Sequence, residues 1–199
     1  SVIANKLGIS FTDVLETCST KWNSLNFYPG LVGGHCVSID PYYLIDDCKK
    51  KNIDSSIITL CRSYNERFVN LVYNKIVKLI KKIKKPKILL VGLSFKDGVV
   101  DFRNSKYIEL YEMLKKLFFV RVLESEQPLK KSGIKNVKLD NNKKNLGNYN
   151  FIIVFLINYF LKKKIKYIFS NRIKKKYLLN LSSKFKYNKN NTNIKLINF

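Results

Sequence analysis

The spacing of apolar residues changes character twice along this 199-residue chain. Residues 1–20 predict two short helices, Ser1 to Leu7 and Phe11 to Thr20, separated by a stop at Gly8. Thr12 and Asp13 are the residues expected to serve the free amides of the second helix. Residues 21–40 keep no period and carry Pro29, Gly30, Gly33 and Gly34, the marks of a structured loop. A helix follows with Asp40 as its cap and Pro41 in its first position, ending near Lys50. Asp54 then opens the longest helix, expected to reach about Lys85. Along it Ile57, Cys61, Tyr64, Phe68, Leu71, Val72, Ile76, Leu79, Ile80 and Ile83 recur at spacings of three or four. That spacing predicts one continuous apolar face on a rod ~45 Å long.

Pro86 ends the rod, and the pattern shifts to short apolar runs. Ile88 to Val91 reads as a buried strand running into Gly92. A helix from Asn104 to Leu117, a strand from Phe118 to Leu123 and a strand from Phe151 to Phe155 follow. A helix from Tyr159 to Phe169 and a strand from Tyr177 to Leu181 complete the pattern. Strands alternating with helices predict a parallel sheet with helices on its faces. The fold class is therefore α/β, with a boundary near residue 85 between a helical part (1–85) and a sheet domain (86–199). The Lys/Asn-rich end from Lys184 to Lys195 is expected to be loosely ordered.

Composition narrows the function classes. Hydrophobic residues make up 46% of the chain, enough to build a core. The most apolar run, Phe151 to Ile157, is far short of the ~20 residues that span a bilayer, so no transmembrane segment is expected. The formal net charge of +24 taken alone points to a nucleic acid or an anionic membrane. Lysine is spread along the chain, however, in runs such as Lys81-Lys82, Lys162 to Lys164 and Lys174 to Lys176. That distribution reads as solvated faces, with no specific nucleic-acid partner. Cys18, Cys36, Cys48 and Cys61 form no CxxC pair, and the chain has one histidine, so no metal site is expected. No secretory signal opens the chain, and a reducing cytoplasm is the expected compartment. The chain begins at Ser1, inside a helical pattern and without an initiator methionine, which suggests a piece of a longer protein.

Candidate chemistry lies in one stretch. Phe27-Tyr28-Pro29-Gly30-Leu31-Val32-Gly33-Gly34-His35-Cys36-Val37-Ser38-Ile39-Asp40 is a glycine-bearing loop that delivers a thiol to the start of a helix. It places a carboxylate four residues later. Glycines let backbone amides approach a ligand closely. A cysteine in such a place suits covalent attack on a carbonyl carbon. Read without its neighbours, Cys36 is more readily a small buried hydrophobe among turn glycines.

The wider string decides between these. From Thr20-Lys21-Trp22-Asn23 through the glycine loop to Asp40-Pro41-Tyr42-Tyr43-Leu44, the chain resembles the UDP-glucose/GDP-mannose dehydrogenase family. The likeness is to the branch that oxidises UDP-N-acetylhexosamines to uronic acids for surface polysaccharides. Gly92-Leu93-Ser94-Phe95-Lys96 and Asp101-Phe102-Arg103-Asn104-Ser105 resemble a second block of the same family, and Tyr149 to Val154 a later strand. The resemblance implies a central helical dimerisation region, joined by the long helix to a Rossmann-like C-terminal domain that binds the UDP-sugar. It implies oxidation of the sugar C6 alcohol with NAD+, through a thiohemiacetal and then a thioester on the cysteine matched by Cys36. Asp40 matches a carboxylate that positions water, alongside its capping role. Gly33 and Gly34 would contact substrate, with a packing or phosphate-facing role for His35. Arg62 and Asn65 match polar residues of the long helix, the arginine reaching the substrate of a partner subunit. Phe95 and Lys96 match residues that hold the UDP portion, and Arg103 one that touches NAD. A homodimer through the central helices is implied.

Some residues depart from the family pattern. No GxGxxG occurs in the chain, so no dinucleotide site is expected after Ile88 to Val91. The family's catalytic lysine and asparagine fall upstream of Ser1, which implies a partial chain inactive by itself. Val100 replaces a proline, Glu124-Ser125 an Asp-Pro, and Asn158 a histidine, changes expected to weaken the nucleotide-sugar site more than the fold. A non-catalytic remnant and a basic binding module remain the alternatives.

Overall fold

The computed structural model describes residues 2–25, 27–169, 176–182, 185 and 194–197. The chain packs as two compact units that divide after Gly30. The first holds α1 (Val2–Lys6) and α2 (Phe11–Cys18). The cap of α2 is Ser10, whose hydroxyl accepts the Asp13 N–H at 3.3 Å, so the capping role expected of Thr12 and Asp13 falls to the residue just before the helix.

The second unit opens with the glycine loop and runs on through α3 (Asp40–Lys50) and α4 (Ser56–Ile80). Asp40 is the first residue of α3 instead of its cap. The amides of Ile39 and Asp40 both donate to the Cys36 carbonyl at 2.8 Å, winding the chain into the helix one residue early. Asp54 does serve α4, accepting the Ser56 N–H at 3.0 Å. The apolar face expected along α4 is divided. Val69, Val72, Ile76 and Ile80 are buried, whereas Ile57, Leu60, Cys61, Tyr64 and Leu71 stand exposed. The rod also ends at Ile80, earlier than Lys85, which has a left-handed backbone (φ 50°) just before Pro86.

The sheet comprises β1 (Ile88–Val91), β2 (Val120–Leu123), β3 (Phe151–Val154), β4 (Lys176–Asn180) and β5 (Ile194–Ile197). Its order is β2-β1-β3-β4-β5 and every pairing is parallel. Every residue of β1 and β3 is fully buried, as an uninterrupted apolar run requires when helices cover both faces. α5 (Lys106–Lys115) joins β1 to β2 and buries Leu110, Tyr111 and Leu114. α8 (Tyr159–Phe169) joins β3 to β4 and buries Leu161, Ile165 and Ile168. Two short helices, α6 (Glu126–Lys131) and α7 (Lys143–Leu146), escaped the sequence reading because each is too short to show a period. The edge of β2 is shielded where the Val122 N–H donates to the Lys138 carbonyl at 3.0 Å. Of the stretch expected to be loose, 184 and 186–193 lie outside the described residues, and Ile194 and Lys195 belong to β5.

Lys176 opens β4 and is only 2% exposed. Its Nζ donates to the Gly147 carbonyl at 2.9 Å and to the Ile168 carbonyl, bridging the ends of α7 and α8. Burial pushes its pKa down to about 8. A lysine whose folded pKa lies below its unfolded value penalises the fold while charged, and the penalty fades as pH rises from about 8 towards its usual value. Relative to Lys176→Met, the parent chain should therefore gain urea resistance between pH 7.5 and 9.5. Parallel pH dependence of the two midpoints would contradict this.

Candidate functional site

The glycine loop is tied down along its length by the elements around it. The Leu31 amide meets the phenol oxygen of Tyr107, whose pKa burial raises to about 12 against that bond. Asn65 of α4 clamps Val32 from both sides, its Oδ1 accepting the Val32 N–H at 3.1 Å and its Nδ2 donating to the Val32 carbonyl at 3.0 Å. Gly34 is gripped in the same way by the turn that precedes α5. Its N–H donates to the Arg103 carbonyl at 3.1 Å, and its carbonyl accepts Asn104 Nδ2 at 3.2 Å and the buried Ser38 hydroxyl.

This closeness dictates the glycines. A methyl group on Gly33 would stand 2.5 Å from the Asn104 carbonyl oxygen, and one on Gly34 3.1 Å from the Phe95 ring. Gly34 also has φ 96°, a backbone state that side chains rarely adopt. Phe95 closes the underside of the loop, its N–H donating to the Asp101 carbonyl at 2.9 Å.

Cys36 emerges from this support exposed, one turn before α3. Arg103 stands within electrostatic reach of its sulfur, and His35 within reach of Asp101. Arg103 is itself held by Asp101, with Nε donating at 3.1 and 3.0 Å and Nη2 at 2.5 Å. Those bonds, with the Arg103 N–H, hold the Asp101 carboxyl down to about 2. The site is thus an exposed thiol with an imidazole, a guanidinium and a carboxylate, all on backbone fixed by hydrogen bonds. Such a set can attack an electrophilic carbon beside an anionic group.

Of the residues singled out by sequence, Gly33, Gly34, Cys36, Phe95 and Arg103 are brought together. Asp40 is exposed at the start of α3, and Lys96 is exposed beyond Phe95. Arg62 takes a different place, buried on α4. Its Nη2 donates to Glu66 at 3.0 Å and its guanidinium lies 5.3 Å over the Tyr42 ring. Its Nε is buried without a partner among the described residues. Glu66 also binds Lys106, which reaches Glu109 at 3.1 Å, so these charges join α4 to α5. Sequence reasoning gave no role to Asp101, Asn104 or Ser38. The two-residue spacing of Asp101 and Arg103 was the one signal available.

The carboxyl ends of the strands do not fit a dinucleotide. A side chain on Gly92 would lie 2.6 Å from Leu156 Cδ1, so this glycine serves the contact between the loops after β1 and β3. Glu124 is fully buried there, accepting the Leu93 N–H and the Ser125 N–H at 2.8 Å and Asn158 Nδ2 at 3.2 Å. Burial raises its pKa, and the bonds it accepts oppose that. The crevice where a parallel sheet of this kind takes a pyrophosphate is therefore filled by the chain's own side chains. Among the described residues no group of histidine, cysteine or acidic side chains could hold a metal, and no helix is long and apolar enough to cross a membrane.

Fold and site together define an α/β protein with a parallel sheet and a cysteine presented on a glycine loop. Residues 1–67 match the central domain of the UDP-glucose/GDP-mannose dehydrogenase family. Protein CapL of Staphylococcus aureus is 36% identical over 119 residues, covering 58% of this chain and 28% of that protein. A UDP-N-acetyl-D-glucosamine 6-dehydrogenase of Pseudomonas aeruginosa is 36% identical over 118 residues, covering 57% and 28%. In structure, the UDP-D-ManNAc dehydrogenase of Pyrococcus horikoshii superposes with a TM-score of 0.73 at 22% identity, covering 99% of this chain and 46% of that one. The chain spans less than half the length of the relatives it matches.

The tight approach at Gly33 gives a direct check. Gly33→Ala should cost about 1–3 kcal/mol in urea unfolding, because backbone rather than a flexible side chain lies in the way. A loss under about 0.5 kcal/mol would mean that the loop lifts off its turn freely.

Proposed function

We propose that this chain carries the substrate half of an NAD-dependent nucleotide-sugar 6-dehydrogenase, acting on a UDP-N-acetylhexosamine for surface polysaccharide biosynthesis in the cytoplasm. The observation that carries it is Cys36, held exposed beside Arg103 in a chain whose first 67 residues match that family. The relatives' names supply the substrate class. In this reading the helical part to residue 85 and the sheet domain from residue 86 are its two functional parts.

Cys36 is the nucleophile. Its thiolate adds to the C6 aldehyde carbon of the sugar, forming a C–S bond and a hemithioacetal oxygen. NAD+ supplies the acceptor for the hydrides removed from C6. Hydrolysis of the resulting thioester breaks the C–S bond, releases the carboxylate and returns the thiol, with Asp40 orienting the water. Gly33 and Gly34 offer backbone close to the sugar. Phe95 packs under the loop and, with exposed Lys96, lies towards the UDP, where an ammonium suits a diphosphate. Arg103 faces the cofactor side. The filled crevice at the sheet leaves the cofactor to residues beyond this chain, so the chain alone does not turn over.

Two copies pair through α3 and α4, whose Tyr43, Leu44, Ile57, Leu60 and Tyr64 are exposed. A strict monomer in sedimentation would contradict that pairing. Catalytic assignment is tested by alkylating the chain with and without UDP-N-acetylglucosamine and reading each cysteine by peptide mass. Cys36 should be protected at least about fivefold at saturating ligand, with Cys61 unchanged. Equal rates at Cys36 with and without the sugar nucleotide would overturn the assignment.

A further inference from the structure

The residue between Arg103 and the cap of α5 has an unusual backbone. Asn104 has φ 51°, in the left-handed region that non-glycine residues seldom occupy and that asparagine tolerates best. Neighbouring Ser105 is buried, and its hydroxyl donates to the Leu93 carbonyl at 2.6 Å and accepts the Tyr107 N–H at 3.3 Å. The turn is therefore anchored to the end of β1 and the start of α5. From that anchored position Asn104 turns two groups towards the cysteine loop. Its carbonyl oxygen occupies the space a side chain on Gly33 would need, and its Nδ2 donates to the Gly34 carbonyl.

The geometry points to Asn104 as a positioning residue for Cys36, acting through Gly34. The Gly34 carbonyl is the hinge of this arrangement. It takes Asn104 Nδ2 from the turn and the hydroxyl of buried Ser38 from its own loop, while the Gly34 N–H is spent on Arg103. Cys36 lies midway between Gly34 and Ser38, so both ends of the segment that carries the thiol converge on that oxygen. Without the amide donor, only the Ser38 hydroxyl meets the carbonyl, and nothing from the sheet domain fixes its direction. A left-handed asparagine placed against a reactive loop is where backbone strain gathers when a site must be held in place. The bearing on catalysis rests on the role proposed for Cys36; the positioning itself does not.

Two variants separate side chain from backbone. Asn104→Gly keeps the left-handed turn and loses the amide, and Asn104→Asp keeps size and turn but cannot donate. Amide hydrogen exchange on the chain without ligand should show protection at Gly34 and across Val37–Asp40 falling about tenfold or more in both variants. Exchange in β1 and β3 should be unchanged. Asn104→Gln, which restores a donor on a longer arm, should recover part of the protection. Unchanged exchange at Gly34 in both variants would overturn the proposal, and so would an equal loss across β1 and β3, which would make Asn104 a general stabiliser. Loss of sugar-nucleotide protection at Cys36 with normal Gly34 exchange would instead fault the catalytic reading alone.

Discussion

Most of what this chain offers chemically depends on one backbone contact, the close approach of residues 31–38 to the turn at residues 101–105. A loop whose tip, His35 to Val37, is exposed has little buried apolar area with which to fix itself. Its order comes instead from hydrogen bonds to groups that the sheet and helices hold still. Asn65 and Tyr107 secure the loop's entry, and the Arg103–Asn104 peptide region secures Gly34. Each bond is worth about 1 kcal/mol, so the set is effective because several act within residues 31–34. Glycine at 33 and 34 is the geometric condition for all of them.

The sheet provides the fixed frame for that contact. Buried strands β1 and β3 place the segment 92–105 at their carboxyl ends, and Ser105 and Phe95 tie its two arms together. The charges that join α4 to α5 add a second link between the helices supporting the loop. Arg62, buried and bound to Glu66, contributes to that link. Glu124 and Asn158, expected from the sequence to weaken a nucleotide-sugar site, form a coherent pair. They hydrogen-bond each other across the ends of β2 and β3 and satisfy amides that would otherwise be buried and unpaired. Both side chains are buried at the strand ends, and the loop contact does not depend on them.

Four of the five strands and the main helices were legible because burial on both faces of a sheet leaves continuous apolar runs, as in Ile88 to Val91 and Phe151 to Val154; β5, in a Lys/Asn-rich end without such a run, was not. The division of α4 into buried and exposed apolar stripes was not legible. A spacing of three or four marks a helix face without saying what covers it, and Ile57 and Ile76 look alike in sequence. Cys36, Gly33, Gly34 and Arg103 stood out through the resemblance of their motifs to those of a known family. Asn104 and Asp101 did not, since an asparagine's φ and an aspartate's partner are tertiary facts. The cap of α2 was misplaced for a related reason: Ser10 and Thr12 are both plausible caps until the turn is built.

A structure of the chain with bound UDP-N-acetylglucosamine tests the central claim most directly. The account predicts the sugar C6 beside the Cys36 sulfur and the diphosphate towards Lys96, with the Gly34 carbonyl still bonded to Asn104. A sugar nucleotide seated elsewhere, or a cysteine loop detached from the turn at residues 101–105 when the ligand is bound, would contradict it.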